Sequence, residues 1–178
     1  MPTQKNDGVA VGIVMGSDTD YPVMSQTADT LTKFGISFEM QVLSAHRTPV
    51  LAHEYATKAA SRGLKVLIAA AGGAAHLAGV VAANTTLPVI GVPMATSTLN
   101  GLDALLATVQ MPSGIPVATV AIDKAGAANA AILAAQILAL SDPEIARKVV
   151  AHKESLVKSV EEKNARLQQL LAEKKHNK

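Results

Sequence analysis

The sequence contains no cysteine and no tryptophan, and its four Phe and Tyr residues are Tyr21, Phe34, Phe38 and Tyr55. Without cysteine there are no thiolate nucleophiles, cysteine-ligated zinc sites, iron–sulfur clusters or disulfides, which is compatible with a reducing compartment. Scarce aromatic rings leave few platforms on which bases can stack, and a net charge of +2 is small for a nucleic-acid surface. We therefore expect no nucleic-acid partner.

Long apolar runs are also missing. No run approaches the length of about 20 residues that crosses a bilayer, and residues 1–7 are polar rather than arranged as a signal peptide. These features predict a cytoplasmic protein with no membrane partner. The chain of 178 residues is long enough for a single domain to bury a full core without disulfides or metal.

Two phosphate-binding fingerprints are absent as well. The chain has no G-x-x-x-x-G-K-[ST] motif, and no G-x-G-x-x-G follows its first apolar segment, so ATP and NAD lose support. His46 and His76 are not spaced as a local ligand pair, and no carboxylate cluster accompanies them, so no metal is predicted. The sequence favours chemistry without a cofactor.

Apolar and amphipathic segments alternate along the chain. Strands are predicted at residues 9–15, 37–43, 66–70, 88–92 and 117–122, and helices at 21–34, 49–62, 77–84, 125–140 and 143–174. Strands this apolar, without alternation, are typical of a parallel sheet covered by helices on both faces. The predicted fold is a doubly wound, three-layer α/β/α domain of the Rossmann-like or flavodoxin-like kind. It spans residues 1–178, with a core at about 9–140 and a long C-terminal helix.

Polar loops follow the first three predicted strands: GSDTD at 16–20, SAHRTP at 44–49 and AGGAAH at 71–76. Thr48 suits an N-cap and Pro49 a first helical residue, which places the second loop at a helix N-terminus, where anions bind. Each loop also has a purely structural explanation, such as a cap or a tight turn. Because ligands bind beyond the carboxyl ends of parallel strands, their shared position favours one ligand site.

With these motifs, the chain resembles the N5-carboxyaminoimidazole ribonucleotide mutase family of purine biosynthesis. The resemblance runs from about residue 9 to 140, through the segments 16–20, 44–49 and 72–77, QMP at 110–112 and the alanine-rich stretch 125–138. It implies an isomerase whose substrate is a ribonucleotide with a carbamate on the exocyclic nitrogen of an aminoimidazole. Decarboxylation and recarboxylation in a closed site would move this carboxylate to ring carbon 4.

The resemblance also implies roles, position by position. Ser17 and Arg47 match phosphate-binding residues, Asp20 matches the acceptor for ribose hydroxyls, and His46 matches the general acid/base. Ser44 and His76 match other positions lining the site, and Gly72 and Gly73 belong to the backbone around the carbon dioxide. A single imidazole that titrates near neutrality can protonate the carbamate nitrogen and later remove the ring proton. Thr19 stands where the family usually has serine, and Ala78 where it usually has proline.

Two other functions stay open. A sister class uses free carbon dioxide on the uncarboxylated ribonucleotide, and its loops look like SAHKT and GRSNA; Arg47 and residues 73–76 side with the mutase. The other is a non-catalytic nucleotide-binding module, because a fold alone does not fix function. His46 at the strand edge argues against that module.

The C-terminal segments indicate assembly. Helix 125–140 is rich in alanine and fits either the sheet or a neighbouring subunit. In helix 143–174, six aliphatic residues recur in an eleven-residue rhythm: Ile145, Val149, Leu156, Val160, Leu167 and Leu171. We expect a partner subunit to cover this stripe; the alternative is a helix folded back over its own domain with a frayed tail. The family resemblance implies a homo-octamer with sites shared between subunits.

Overall fold

The computed structural model describes residues 8–176. Residues 1–7, on which the expectation about a signal peptide rests, lie outside this range. Strands are β1 (Val11–Met15), β2 (Phe38–Val42), β3 (Val66–Gly72), β4 (Val89–Met94) and β5 (Ala118–Thr119), and helices are α1 (Tyr21–Phe34), α2 (Pro49–Ala59), α3 (Leu77–Ala83), α4 (Leu102–Val109), α5 (Asp123–Ala139) and α6 (Pro143–His176). Short 3-10 turns precede α1, at Asp18–Asp20, and follow α2, at Ala60–Arg62.

The strands form one parallel sheet in the order β2-β1-β3-β4-β5. Alternate side chains of β1 point to opposite faces: Ile13 packs beneath α1 and α5, and Val14 faces α2 and α3. Both faces are therefore apolar, which explains the continuous apolar runs in the sequence. The predicted doubly wound α/β fold with a long C-terminal helix is confirmed.

Helix α5 packs on the sheet and on α1 of the same chain. Its alanines at 127, 130, 131, 134 and 135 are fully buried, and Thr27 of α1 donates a hydrogen bond of 2.8 Å to the carbonyl oxygen of Ala127. Because small side chains let two helices approach closely, the alanine-rich segment serves the packing of α1 against α5.

Strand β5 and helix α4 differ most from the prediction. Strand β5 covers only Ala118–Thr119 rather than 117–122, because it is an edge strand and the chain turns into α5 at Asp123. Helix α4, at Leu102–Val109, was not predicted; it begins after Gly101, whose backbone φ of +85° suits glycine. Gly63 has the predicted left-handed conformation, with φ +94°, but the α-helical part of that segment ends at Ala59.

Helix α6 packs on the rest of the chain only at its start. Asp142 Oδ1 caps it by accepting hydrogen bonds from the backbone N–H groups of Glu144 and Ile145. Ile145 and Val149 then pack against the core beneath α1 and α5. Further along the stripe, Leu156 is 48% and Val160 is 63% exposed. The rest of the chain therefore covers only the first part of the stripe. None of the helices in residues 8–176 is long and apolar enough to cross a membrane.

Candidate active site

The loops that follow β1, β2 and β3 meet in a cleft of about 380 Å³ at the carboxyl edge of the sheet. The residues that line it are Gly16, Ser17, Thr19, Asp20, Ser44, Ala45, His46, Arg47, Ala71, Gly72, Ala74, His76, Leu77 and Thr96. The carboxyl ends of parallel strands lie at the same edge of the sheet, and residues far apart in the sequence therefore line one cleft.

The first loop is closed by a reciprocal cap between Ser17 and Asp20. Ser17 N–H donates to Asp20 Oδ2 over 3.2 Å, and the Ser17 hydroxyl accepts from Thr19 N–H over 3.3 Å. Asp20 is only 3% exposed, and this burial raises the pKa of its carboxyl group. The hydrogen bond from Ser17 N–H opposes that rise, whereas the nearby carboxylates of Asp123 and Asp18 add to it. The wall of the cleft thus contains a buried carboxyl group, Asp20, that can accept hydrogen bonds.

The second loop holds a guanidinium group against the first. Arg47 Nη2 donates to the carbonyl oxygen of Gly16 over 2.9 Å, and Arg47 Nε donates to Ser44 Oγ over 3.4 Å. The same Ser44 hydroxyl also accepts from Arg47 backbone N–H over 3.1 Å. A guanidinium carries five N–H donors, and these contacts use two of them. The other donors are available to an anion in the cleft.

Thr48 occupies the N-cap position of α2, but its side chain does not cap the helix. Its hydroxyl instead donates to the carbonyl oxygen of Ser44 and accepts from Ser44 N–H, over 3.1 and 2.9 Å. The prediction that Thr48 is the N-cap residue is therefore confirmed, although its hydroxyl closes the turn around His46 rather than bonding to the helix. The prediction that Pro49 is the first helical residue is confirmed.

Two imidazole rings meet across the second and third loops. His46 Nε2 and His76 Nδ1 lie 2.8 Å apart, with the ring centroids separated by 4.9 Å and the planes inclined at 71°. A hydrogen bond between two imidazoles requires a donor nitrogen on one ring and an acceptor nitrogen on the other. The pair can therefore hold a proton between the rings and pass it to a bound molecule, because both residues are exposed to the cleft.

The third loop approaches the chain that follows β4. A Cβ atom at Gly72 would collide with Oγ1 of Thr96, so only glycine permits this close approach. Gly73 has φ +59° and makes the turn. Gly73 is not among the described residues that line the cleft, unlike the other predicted positions Ser17, Asp20, Ser44, His46, Arg47, Gly72 and His76.

Sequence reasoning missed Thr96 as a lining residue. The signal was present, since Thr96 follows a buried parallel strand just as the other loops do. The loop that contains Thr96 has none of the histidine, arginine and paired glycine residues that mark the loops after β2 and β3. Within residues 8–176, no group of three or more His, Asp or Glu side chains is placed to hold a metal ion.

Fold and cleft together define a doubly wound α/β protein whose polar ligand site combines a guanidinium, a buried carboxylate and paired imidazoles. Residues 10–159 match the AIR carboxylase family. The chain belongs to this family.

Individual relatives extend the similarity over most of the chain. A protein from Thermotoga maritima named N5-carboxyaminoimidazole ribonucleotide mutase is 60% identical over 160 residues, which are 90% of this chain and 92% of that protein. A protein of the same name from Pyrococcus horikoshii is 54% identical over 168 residues, 94% of each chain. The crystal structure of Treponema denticola PurE superimposes with a TM-score of 0.79 at 32% identity, covering 89% of this chain and 98% of that one.

Proposed function

We propose that this protein is an N5-carboxyaminoimidazole ribonucleotide mutase, an isomerase of purine biosynthesis that acts without a cofactor. The observation that carries the proposal is the hydrogen-bonded pair of His46 and His76 beside Gly72, within one cleft. The names and high identities of the Thermotoga and Pyrococcus relatives support it.

The ribonucleotide is proposed to lie along the cleft with its phosphate at Ser17 and Arg47. A phosphate is a good acceptor for a guanidinium whose other contacts already fix its plane, as the bonds to Gly16 and Ser44 do. Asp20, once ionised, accepts hydrogen bonds from the ribose hydroxyls. This arrangement places the aminoimidazole ring toward the imidazole pair and Gly72.

His46 is proposed to move one proton twice. As the bond between the exocyclic nitrogen and the carboxylate carbon breaks, His46 supplies the proton that this nitrogen gains. Ring carbon 4 then forms its bond to the released carbon dioxide, and the proton that this carbon loses returns to His46. His76, 2.8 Å away, orients the His46 ring and fixes which nitrogen carries the proton. The donor and acceptor states of His46 are thus restored in each turnover.

Carbon dioxide has to stay in the cleft between the two steps. Gly72 packs so tightly against Thr96 that no side chain fits between them, and Ala74 lines the same wall. Small residues let the backbone approach the reacting atoms closely, so that little space for water is left once the substrate is bound. This wall is the proposed barrier to the escape of carbon dioxide.

The alternative within the family is a carboxylase that takes free carbon dioxide. The mutase is favoured by Arg47 and by the GGAAH sequence at residues 72–76, which differ from the SAHKT and GRSNA patterns of that class. A direct test supplies the purified chain with either the carbamate ribonucleotide or the uncarboxylated ribonucleotide plus low bicarbonate. We expect rapid product formation from the carbamate and very little from the other mixture. The reverse preference would identify a carboxylase.

We further propose that the protein acts as a cytoplasmic homo-oligomer, an octamer by its resemblance to the family. The support is apolar surface that one subunit leaves uncovered: the outer part of the α6 stripe and an exposed face of α4. That face consists of Leu102, Leu106 and Val109, between 48 and 52% exposed. Large apolar patches of this kind are typical of interfaces.

A further inference from the structure

The backbone of Asp123, the first residue of α5, has a φ of +56°. Left-handed backbone is unfavourable for residues with a Cβ atom and suits glycine. Within residues 8–176, only Asn100 and Asp123 adopt it among non-glycine residues. These positions lie close together in the fold. A Cβ atom at Gly101, next to Asn100, would touch Ile122, which precedes Asp123, and Ala95, which follows β4. Unfavourable backbone is therefore concentrated where β4 ends and α5 begins.

At this junction the Asp123 side chain accepts a backbone hydrogen bond from the chain after β4 that a longer β5 would otherwise accept. Val120 N–H donates a hydrogen bond to the carbonyl oxygen of Gly91 in β4. Because backbone groups alternate in direction along a strand, every second residue from Gly91 onward also points its N–H and C=O groups toward β5. Pairing with β5 ends at Thr119, and Pro93 has no N–H to satisfy. The next N–H on that side belongs to Ala95, and it donates to Asp123 Oδ1 over 2.9 Å.

Ala95 leads directly into the cleft. Its neighbour Thr96 lines the cleft and lies so close to Gly72 that a Cβ there would collide with the threonine hydroxyl. Thr96 therefore sets the position of the wall at Gly72, and the hydrogen bond to Asp123 fixes the chain from which Thr96 projects. No direct contact between Asp123 and the substrate is needed for this effect.

Two features of position 123 nonetheless oppose an aspartate. Besides the left-handed backbone, its carboxylate lies near the buried Asp20, whose pKa it helps to raise together with burial and with Asp18. Glycine would remove both the backbone strain and the like charge. Glycine would lose the hydrogen bond to Ala95 N–H and the carboxylate at the N-terminus of α5; asparagine loses only the charge.

We infer that Asp123 is a positioning residue of the carboxylate-transfer site, which holds the wall formed by Thr96 and Gly72 in place through Ala95. The inference rests on the proposed function, because it assigns to this wall the retention of carbon dioxide. Loosening the wall would let carbon dioxide leave before carbon 4 captures it. The observable consequence is release of the uncarboxylated ribonucleotide.

The test compares Asp123→Asn, which keeps an acceptor oxygen, with Asp123→Gly, which removes it and relieves the backbone. The measurement is the ratio of uncarboxylated ribonucleotide to carboxylated product formed from the carbamate substrate, together with kcat, KM and melting temperature. We expect Asp123→Gly to raise this ratio at least threefold over wild type with no loss of melting temperature. Asp123→Asn should restore the wild-type ratio.

A wild-type ratio in Asp123→Gly, or an equal rise in both variants, would overturn the inference. If Asp123→Gly does not fold, Thr96→Ala tests the other half of the inference, the role of the wall in retaining carbon dioxide, because it removes the contact with Gly72 and leaves the Asp123 bond intact. It should raise the ratio, and an unchanged ratio would overturn the inference. A wild-type protein that forms no carboxylated product would instead remove the proposed function, and this inference with it.

Discussion

At the scale of single residues, the chemistry depends on the imidazole pair. We predict that His46→Asn abolishes turnover while leaving ribonucleotide binding largely intact, because asparagine keeps much of the shape and polarity but cannot shuttle a proton. General acid–base catalysis accelerates a reaction by about a hundred- to ten-thousandfold, so kcat should fall by at least about a hundredfold. Calorimetric titration with the product measures binding separately from turnover.

His76→Asn is the matched comparison for His46→Asn. It removes the partner 2.8 Å from His46 Nε2 but leaves the proposed proton carrier in place. We expect a smaller loss of kcat than in His46→Asn. If His46→Asn kept near-wild-type kcat, His46 would not be the proton carrier.

Arg47 is predicted to act on binding through the phosphate. Arg47→Ala removes a charge-assisted contact worth about 1.5–3 kcal/mol, which corresponds to an increase in KM of about ten- to a hundredfold. The wild type should strongly prefer the ribonucleotide over its dephosphorylated nucleoside, and the variant should not. Arg62→Ala, which alters an arginine outside the cleft, is the control and should keep the preference. Equal losses on both compounds would show that Arg47 shapes the loop, through Gly16 and Ser44, rather than binding phosphate.

At the scale of elements, an ion pair ties the edge strand β2 to the turn after α2. Both carboxylate oxygens of Glu39 accept from Arg62, over 2.6 and 3.2 Å. Burial raises the pKa of Glu39, but the hydrogen bonds of Arg62, the nearby Tyr55 hydroxyl and the charge of Arg62 together outweigh it, so the pKa lies below its ordinary value of 4.5. A lowered pKa stabilises the fold above the ordinary pKa and loses that effect as the pH falls through the folded value.

Glu39→Gln should therefore lower the free energy of unfolding by about 0.5–1.5 kcal/mol at pH 7, since the pair is bidentate but partly exposed. The difference between wild type and variant should shrink as the pH falls below 4.5. Urea unfolding of both proteins at pH 7 and at successively lower pH measures this. A difference that stays constant over that range would contradict the proposed role of the Glu39 charge.

Elements were predictable from the sequence where a long periodic pattern defined them. The apolar run of β1 and the segments of α1 and α6 carry such patterns. Of the fourteen residues that line the cleft, seven are site residues predicted from the loops at 16–20, 44–49 and 71–76. Helix α4 was not predicted because Asn100 and Gly101, directly before it, are typical of a turn and give no signal for the start of a helix. The roles of Thr96 and Asp123 were not predicted because they depend on contacts between distant parts of the sequence. Thr96 contacts Gly72, and Asp123 bonds to Ala95, and no local sequence pattern indicates either contact.

At the scale of the whole molecule, the outer part of α6 is predicted to hold subunits together. Ile145 and Val149 already pack on their own subunit, so a chain ending at Glu154 keeps its core and loses only the exposed stripe. Burial of aliphatic side chains at about 1.5–3 kcal/mol each stabilises such an interface well beyond the ordering costs. We expect a smaller assembly by light scattering, with activity that falls and recovers partly at high protein concentration.

A truncation after Ser141 is the comparison for that shorter chain. It also removes Ile145 and Val149 from the core, so it should lower the melting temperature in addition to the molar mass. If the chain ending at Glu154 had an unchanged mass in solution, the outer stripe would not be an interface between subunits.

The central claim is that the carboxylate is transferred within one closed cleft. Its most direct test uses carbamate ribonucleotide with ¹³C in the carboxylate, converted in buffer containing unlabelled bicarbonate, with the product analysed by mass spectrometry. We predict that the product retains the ¹³C label in nearly every molecule, because the carbon dioxide is recaptured before it exchanges. Loss of the label to the bicarbonate pool as fast as product forms would contradict the account and identify a carboxylase that uses free carbon dioxide.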